Sequence, residues 1–182
     1  MLPGPGMLDL PADLQRILQT SFAIRSTVTR RNGTLRVVET TYHWPGDDTV
    51  VLSGHPGKRD WVASMKRHPE VTLHTVESRP WFDIPARARV VRDLDEKVPL
   101  LVGFVTRWSS RSLPMWLQFK VAFAALRVNQ ALGLPWWGPF GAARRIFEQM
   151  PCVVLTMTGP PTRRDEGGPP RLSEPGHSPF GP

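Results

Sequence analysis

The 182-residue sequence contains one cysteine and one tyrosine, and polar or charged residues interrupt its apolar stretches. A single cysteine, Cys152, excludes an internal disulfide and a thiolate metal cluster. The longest apolar stretch, 113–137, contains Lys120 and Arg127. A bilayer-spanning helix needs roughly 20 mostly uncharged residues, so this stretch does not predict one. The first residues lack a basic head followed by an apolar run, and we therefore expect no secretory signal and a cytoplasmic location.

The charge balance is positive, with 23 Lys and Arg against 16 Asp and Glu and a net charge of +7. Such an excess indicates a negatively charged partner, and nucleic acid, anionic lipid and a phosphorylated cofactor all qualify. The basic residues do not form one Lys/Arg block, whereas nucleic-acid-binding proteins usually show a basic stripe. We therefore expect no nucleic-acid partner.

The histidines show no pattern typical of a metal site. His43, His55, His68 and His74 do not occur at metal-ligand spacing with a plausible third ligand. We therefore predict no bound metal. His55 is a candidate for contact with phosphate or substrate, and Cys152, inside an apolar run, is typical of an inert core residue.

The two ends of the chain have compositions typical of flexible segments. Residues 159–182 contain 7 Pro and 5 Gly, with few large apolar residues. Such a segment cannot bury enough surface to offset an ordering cost of about 1–2 kcal/mol per residue. We predict a flexible leader over 1–8, one domain over 9–158 and a disordered tail over 159–182.

Between these ends, hydrophobic periodicity predicts a mainly β domain of the α+β class. Helices are predicted near residues 10–18 and 60–68, and another should start at Asp93, where Glu96 completes a helix-starting cap. Six short strands are predicted, over residues 22–29, 35–44, 49–53, 71–75, 82–90 and 152–157. Short strands separated by turn residues favour an antiparallel barrel over a parallel sheet.

An aromatic segment, residues 105–149, precedes the last predicted strand and is longer than a minimal barrel needs. Its aromatic residues include Trp108, Trp116, Phe119, Phe123, Trp136, Trp137 and Phe140. Three roles remain open: packing over the barrel or a dimer seam, a lid over a substrate, or peripheral membrane contact through residues 112–140. In the third role, Lys120 and Arg127 would meet anionic lipid.

The loop within residues 53–61 has the pattern most typical of a binding site. A predicted strand ends, Gly54 and Gly57 permit close backbone approach, and Lys58 and Arg59 precede a helix. Amides at a helix start carry roughly +0.5 charge and suit a phosphate group, to which the two cations would add charge-assisted hydrogen bonds. Taken alone, the loop pattern favours a solvated turn bearing two surface cations over a phosphate site. Its spacing is not that of a Walker loop.

This loop and the helix and strand after it resemble the central signature of FMN-binding split β-barrels, the pyridoxamine-phosphate-oxidase-like proteins. The resemblance is strongest to their deazaflavin-dependent nitroreductase branch. It rests on Gly54-His55-Pro56-Gly57-Lys58-Arg59-Asp60-Trp61, on Met65, on His68-Pro69-Glu70-Val71-Thr72-Leu73, and on Ala86-Arg87-Ala88-Arg89-Val90-Val91 followed by Asp93. It covers about residues 10–105 and 150–158. Two departures are Ser64-Met65 in place of the usual Asn-Leu, and separated rather than paired glycines in the loop.

The resemblance implies a six-stranded antiparallel split β-barrel with short flanking helices, a helical aromatic insertion before the last strand, and a homodimer. It implies an oxidoreductase that uses FMN or a deazaflavin coenzyme for hydride transfer to a small hydrophobic acceptor, of the quinone or nitroaromatic type. It assigns no catalytic side chain. The implied cofactor-binding residues are Thr40, Thr41, Tyr42, Ser53, Gly54, His55, Gly57, Lys58 and Arg59. The alternative is a cofactor-free or haem-binding barrel that uses the aromatic segment to bind a partner or a membrane surface.

Overall fold

Six antiparallel strands close into a barrel in the computed structural model, which describes residues 8–110 and 141–173 and positions 114, 117, 121, 124, 125, 128, 129 and 131–134. The strands are β1 (Ala23–Thr29), β2 (Leu35–His43), β3 (Thr49–Ser53), β4 (Glu70–Thr75), β5 (Trp81–Val90) and β6 (Val153–Met157). They neighbour one another in the order β4-β1-β2-β3-β6-β5, and pairing of β4 with β5 closes the barrel. The predicted six-stranded antiparallel barrel is confirmed.

The barrel interior is filled by every second side chain of the strands, as strand geometry requires. Ile24 of β1, Leu52 of β3, Leu73 of β4 and Ile84 of β5 are all fully buried there. Two helices pack into the same core, α1 (Ala12–Thr20) and α2 (Asp60–Arg67). They bury Leu14, Ile17, Leu18 and Met65.

A second core lies on the outer face of β3 and β6, beneath α3 (Leu94–Ser109) and α4 (Gly141–Gln149). Val51 and Val154 of the strands meet Leu101 and Phe104 of α3 and Phe147 of α4. The predicted start of α3 is confirmed, because the Asp93 carboxylate accepts a hydrogen bond from the Glu96 amide at 3.0 Å. Consequently, the helices at the two ends of the aromatic segment are fixed against the barrel wall.

Within the insertion, the described positions from 114 to 129, and position 131, are helical. Trp108 lies on α3, whereas Trp116, Phe119, Phe123, Trp136, Trp137 and Phe140 lie outside the described residues. None of the helices formed by described residues has the length and apolar character needed to cross a bilayer.

A seventh strand, β7 (Thr162–Arg164), pairs with β5 inside the predicted disordered tail. Residues 162–173 are therefore ordered, contrary to that prediction, while residues 174–182 lie outside the described part. Ion pairs and backbone contacts hold the segment: Arg164 lies 3.0 Å from the Asp83 carboxylate, and the Arg25 guanidinium donates to the Pro170 carbonyl at 2.8 Å. Apolar composition did not indicate this order, because polar contacts with residues distant in the sequence hold the segment.

Candidate functional site

The end of β3 and the neighbouring part of β2 form the base of the candidate site. Thr41 and Ser53 are paired in the register of the two strands, and the Thr41 hydroxyl donates to the Ser53 carbonyl at 3.3 Å. The Ser53 hydroxyl donates to the Pro151 carbonyl at 2.6 Å, which connects β3 to the residues just before β6. Both side chains are buried, so the base is rigidly held.

The loop that follows, residues 54–59, is attached to the ends of α3 and α4. The Gly57 amide donates to the carbonyl of Gln149, the last residue of α4, at 3.0 Å. The exposed His55 ring lies edge-on to Trp108 of α3, with ring centroids 6.4 Å apart. Gly57 has φ +120°, a conformation that favours glycine. The Gly54 backbone has open space around it, because a Cβ placed there would meet no atom within 4 Å.

The cationic side of the loop leads directly into α2. The side chains of Lys58 and Arg59 are exposed, and Lys58 forms no ion pair with another described residue. Arg59 occupies the N-cap of α2 in extended conformation, and no side chain caps the helix. The Arg59 guanidinium donates to the His55 carbonyl at 3.2 Å, which keeps it beside the loop. Two cations and uncapped helix amides are a donor set that suits a phosphate group.

Two predicted site residues turn away from this loop. Tyr42 is part of the barrel core and only 3% exposed, and its hydroxyl donates to the Leu18 carbonyl at 3.0 Å. Burial raises the pKa of Tyr42 well above its usual range. Thr40, two residues away on the same face of β2, is also buried, and its hydroxyl has no hydrogen-bond partner among the described residues.

The structure thus brings together the predicted residues at the strand ends and in the loop. These are Thr41, Ser53, Gly54, His55, Gly57, Lys58 and Arg59. Thr40 and Tyr42 project into the barrel instead. As cofactor ligands, all of these residues remain predictions.

A group of residues beside this site was missed by the sequence analysis, which considered His43 only as a metal ligand. The His43 ring lies against α3 at Gly103, where an added Cβ would be 2.8 Å from Nε2. Burial, with a contribution from the nearby Arg107 charge, lowers the pKa of His43, which favours its neutral imidazole. A glycine inside a helix lowers the stability of the helix by about 1 kcal/mol relative to alanine. The presence of Gly103 in the sequence could therefore have indicated that another part of the chain lies close to the helix at that position.

Arg107 connects α3 to α1 and to the end of β2. Its guanidinium donates to the Leu18 carbonyl at 2.7 Å and to the Ser21 carbonyl. It also lies 5.1 Å from the Tyr42 ring centroid and 5.4 Å from that of Phe22. Arg107 therefore fixes the position of α3, and with it Trp108, which contacts the candidate loop.

The closed barrel, the loop and helix after its third strand, and the helices over β3 and β6 define the split β-barrel fold of pyridoxamine-phosphate-oxidase-like proteins. Solved structures with this fold are similar to the chain. A Bacteroides thetaiotaomicron protein provisionally assigned to 5-nitroimidazole antibiotic resistance has TM-score 0.56 and 10% identity over 84% of this chain and 82% of its own. A conserved hypothetical protein of Mycobacterium tuberculosis has TM-score 0.56 and 10% identity over 91% and 90% of the two chains.

A Clostridium acetobutylicum protein related to general stress protein 26, of the pyridoxinephosphate oxidase family, is also similar. It has TM-score 0.51 and 11% identity over 80% of this chain and 81% of its own. No family model matches the sequence, and no curated protein is similar to it. At identities this low, the likeness establishes the fold.

Proposed function

We propose that this protein is a flavin- or deazaflavin-dependent oxidoreductase that transfers hydride to a small hydrophobic acceptor. The split-barrel fold, which this chain shares with a protein of the pyridoxinephosphate oxidase family, supports a flavin-type cofactor in general. The observation that carries the proposal is the 54–59 loop, where an open glycine backbone, two exposed cations and an uncapped helix start occur together. That donor set fits the phosphate of FMN or of a deazaflavin coenzyme.

In this proposal, Lys58, Arg59 and the nearby amides hold the phosphate, and Thr41 and Ser53 provide the rigid base beneath the loop. The bound cofactor supplies the hydride chemistry, and the protein orients it and limits its contact with water. Neither a nucleophile nor an acid–base pair is required. The acceptor is proposed to be a quinone or a nitroaromatic compound, and the Bacteroides neighbour makes a nitroimidazole the first to test. The homodimer implied by the resemblance belongs to the proposal, and light scattering would test it.

The experiment compares FMN with riboflavin, which has the same ring system and no phosphate. We expect wild-type protein to bind FMN at least roughly 10-fold more tightly, because a single hydrogen bond to a charged group contributes about 1.5–3 kcal/mol. The Lys58→Ala/Arg59→Ala variant should lose most of this preference and leave riboflavin binding nearly unchanged. Fluorescence quenching gives both dissociation constants, and the deazaflavin coenzyme is titrated in the same way.

The matched control is Lys66→Ala/Arg67→Ala, which removes an equally exposed pair of cations from the other end of α2. This variant has the same net charge as the loop variant and should keep the wild-type preference for FMN. Equal losses in both variants would indicate a general charge effect and contradict the loop assignment. A wild-type protein that binds none of the three compounds would contradict the proposed function.

A further inference from the structure

The positive charge of the chain is concentrated in one part of the sequence. From Lys97 to Phe147 there is no Asp or Glu, and the seven basic residues are Lys97, Arg107, Arg111, Lys120, Arg127, Arg144 and Arg145. Outside this acid-free segment, residues 97–147, the chain has 16 Lys and Arg and 16 Asp and Glu. The segment therefore accounts for the whole net charge of +7.

The same segment carries most of the large apolar side chains that are exposed among the described residues. In the part of the chain that the structure describes, seven large apolar side chains are exposed, and all except Leu35 belong to the acid-free segment. They are Leu117, Val121, Val128, Leu132, Leu134 and Ile146. Isolated exposed apolar residues are normal, but a concentration of this kind marks an interaction surface.

Four of the helical positions in the segment form an exposed stripe. Leu117, Val121, Ala124 and Val128 are spaced by four, three and four residues, which places them within an arc of about 60° at 3.6 residues per turn. All four are exposed, with Leu117, Val121 and Val128 at 59%, 65% and 57%. Among the described helical positions from 114 to 131, Ala125 and Asn129 are half-buried, and both lie to one side of the stripe. Thus the stripe faces solvent along its length.

We propose that this stripe docks on the surface of an anionic lipid bilayer, with basic residues of the segment other than the buried Lys97 and the carbonyl-bound Arg107 contacting lipid phosphates. An amphipathic helix at a bilayer surface combines an apolar face with cations and no acidic residues, and tryptophan and phenylalanine favour that depth. Residues 111–140 contain three Trp and three Phe by sequence. Arg145 of α4 belongs to the acid-free segment and is exposed, so it is available to a lipid headgroup.

Charge favours a bilayer over a second copy of the chain as the occupant of the stripe. Two copies that met through it would bring two acid-free segments together, with no carboxylate from either segment to compensate the cations. An anionic surface supplies that compensating charge. The docking does not depend on the proposed redox function, because the stripe residues are not part of the 53–59 site.

The test is co-sedimentation of the full chain with vesicles of pure phosphatidylcholine and of equal parts phosphatidylcholine and phosphatidylglycerol. We expect binding to the anionic vesicles to be at least about tenfold tighter, and to weaken as salt is raised. Val121→Glu/Val128→Glu, at two exposed positions, should abolish this binding. Leu35→Glu, at a residue 68% exposed on β2, is the matched control and should bind like wild type.

A second pair of variants tests the charges. Arg144→Gln/Arg145→Gln should weaken binding to anionic vesicles several-fold, and Lys66→Gln/Arg67→Gln, equally exposed on α2, should not. The proposal is overturned if wild-type protein does not sediment with anionic vesicles, or if Val121→Glu/Val128→Glu sediments as wild type does. A second copy of the chain would occupy the stripe if light scattering showed a wild-type dimer that Val121→Glu/Val128→Glu dissociates, and if wild-type protein did not bind vesicles. That result would also overturn the proposal.

Discussion

Replacement of Gly103 by alanine would place a Cβ 2.8 Å from Nε2 and 3.0 Å from Cδ2 of His43. Forcing an extra carbon into a packed contact typically costs about 1–3 kcal/mol. The same substitution gains about 1 kcal/mol from the helix preference of alanine over glycine. We therefore expect Gly103→Ala to lower the free energy of unfolding by between zero and about 2 kcal/mol. In a His43→Ala background the obstacle is absent, and the substitution should stabilise the protein by about 1 kcal/mol.

Urea unfolding of four proteins measures this contact directly: wild type, each single variant and the double variant. The expected coupling energy between positions 43 and 103 is about 1–3 kcal/mol. Circular dichroism follows the transition, and equal m-values would show that the unfolded states are comparable. Should Gly103→Ala have the same effect with and without the imidazole, the described packing of β2 against α3 would be refuted.

Three further predictions concern titratable groups that are buried or half-buried. Burial lowers the pKa of His43, so the unfolded state binds more protons than the folded state just below pH 6.5. The free energy of unfolding should therefore fall as the pH is lowered. Urea unfolding between pH 7.5 and 5.5 should show a smaller fall for His43→Gln than for wild type. Burial raises the pKa of Cys152 to about 11, so a thiol reagent at pH 8 should leave the folded protein unmodified and modify one thiol after unfolding. Tyr42→Phe removes the 3.0 Å hydrogen bond to the Leu18 carbonyl and should cost about 0.5–1.5 kcal/mol, measured by urea unfolding; no change would show that the bond is energetically neutral.

The barrel was predictable because each strand carries its own alternation of apolar and polar residues. The predicted strand 49–53 coincides with β3, and the other strands agree within about one residue at each end. The same logic failed for β7, because Thr162-Arg163-Arg164 has no apolar alternation. Its position depends on pairing with β5 and on ion pairs with Asp13 and Asp83, which are distant in sequence.

The candidate site was predictable only in part. A local pattern of glycines and cations marked the 54–59 loop, and the structure places Thr41 and Ser53 at its base. The face of β2 on which a side chain lies depends on the strand register, which the sequence did not specify at this strand. Tyr42 was therefore predicted beside the cofactor, and the structure places it in the barrel core. The attachment of the loop to Trp108 and Gln149 joins elements about 50 and 90 residues away, and no local pattern could indicate it.

Backbone amide chemical shifts of isotope-labelled protein, followed during titration with FMN, would show whether the 54–59 loop and the start of α2 bind the phosphate. We predict saturable changes that are largest at Gly54, Gly57 and the first amides of α2, and much smaller changes there with riboflavin. Saturable changes of equal size with both compounds, or changes confined to residues away from this loop, would contradict this prediction.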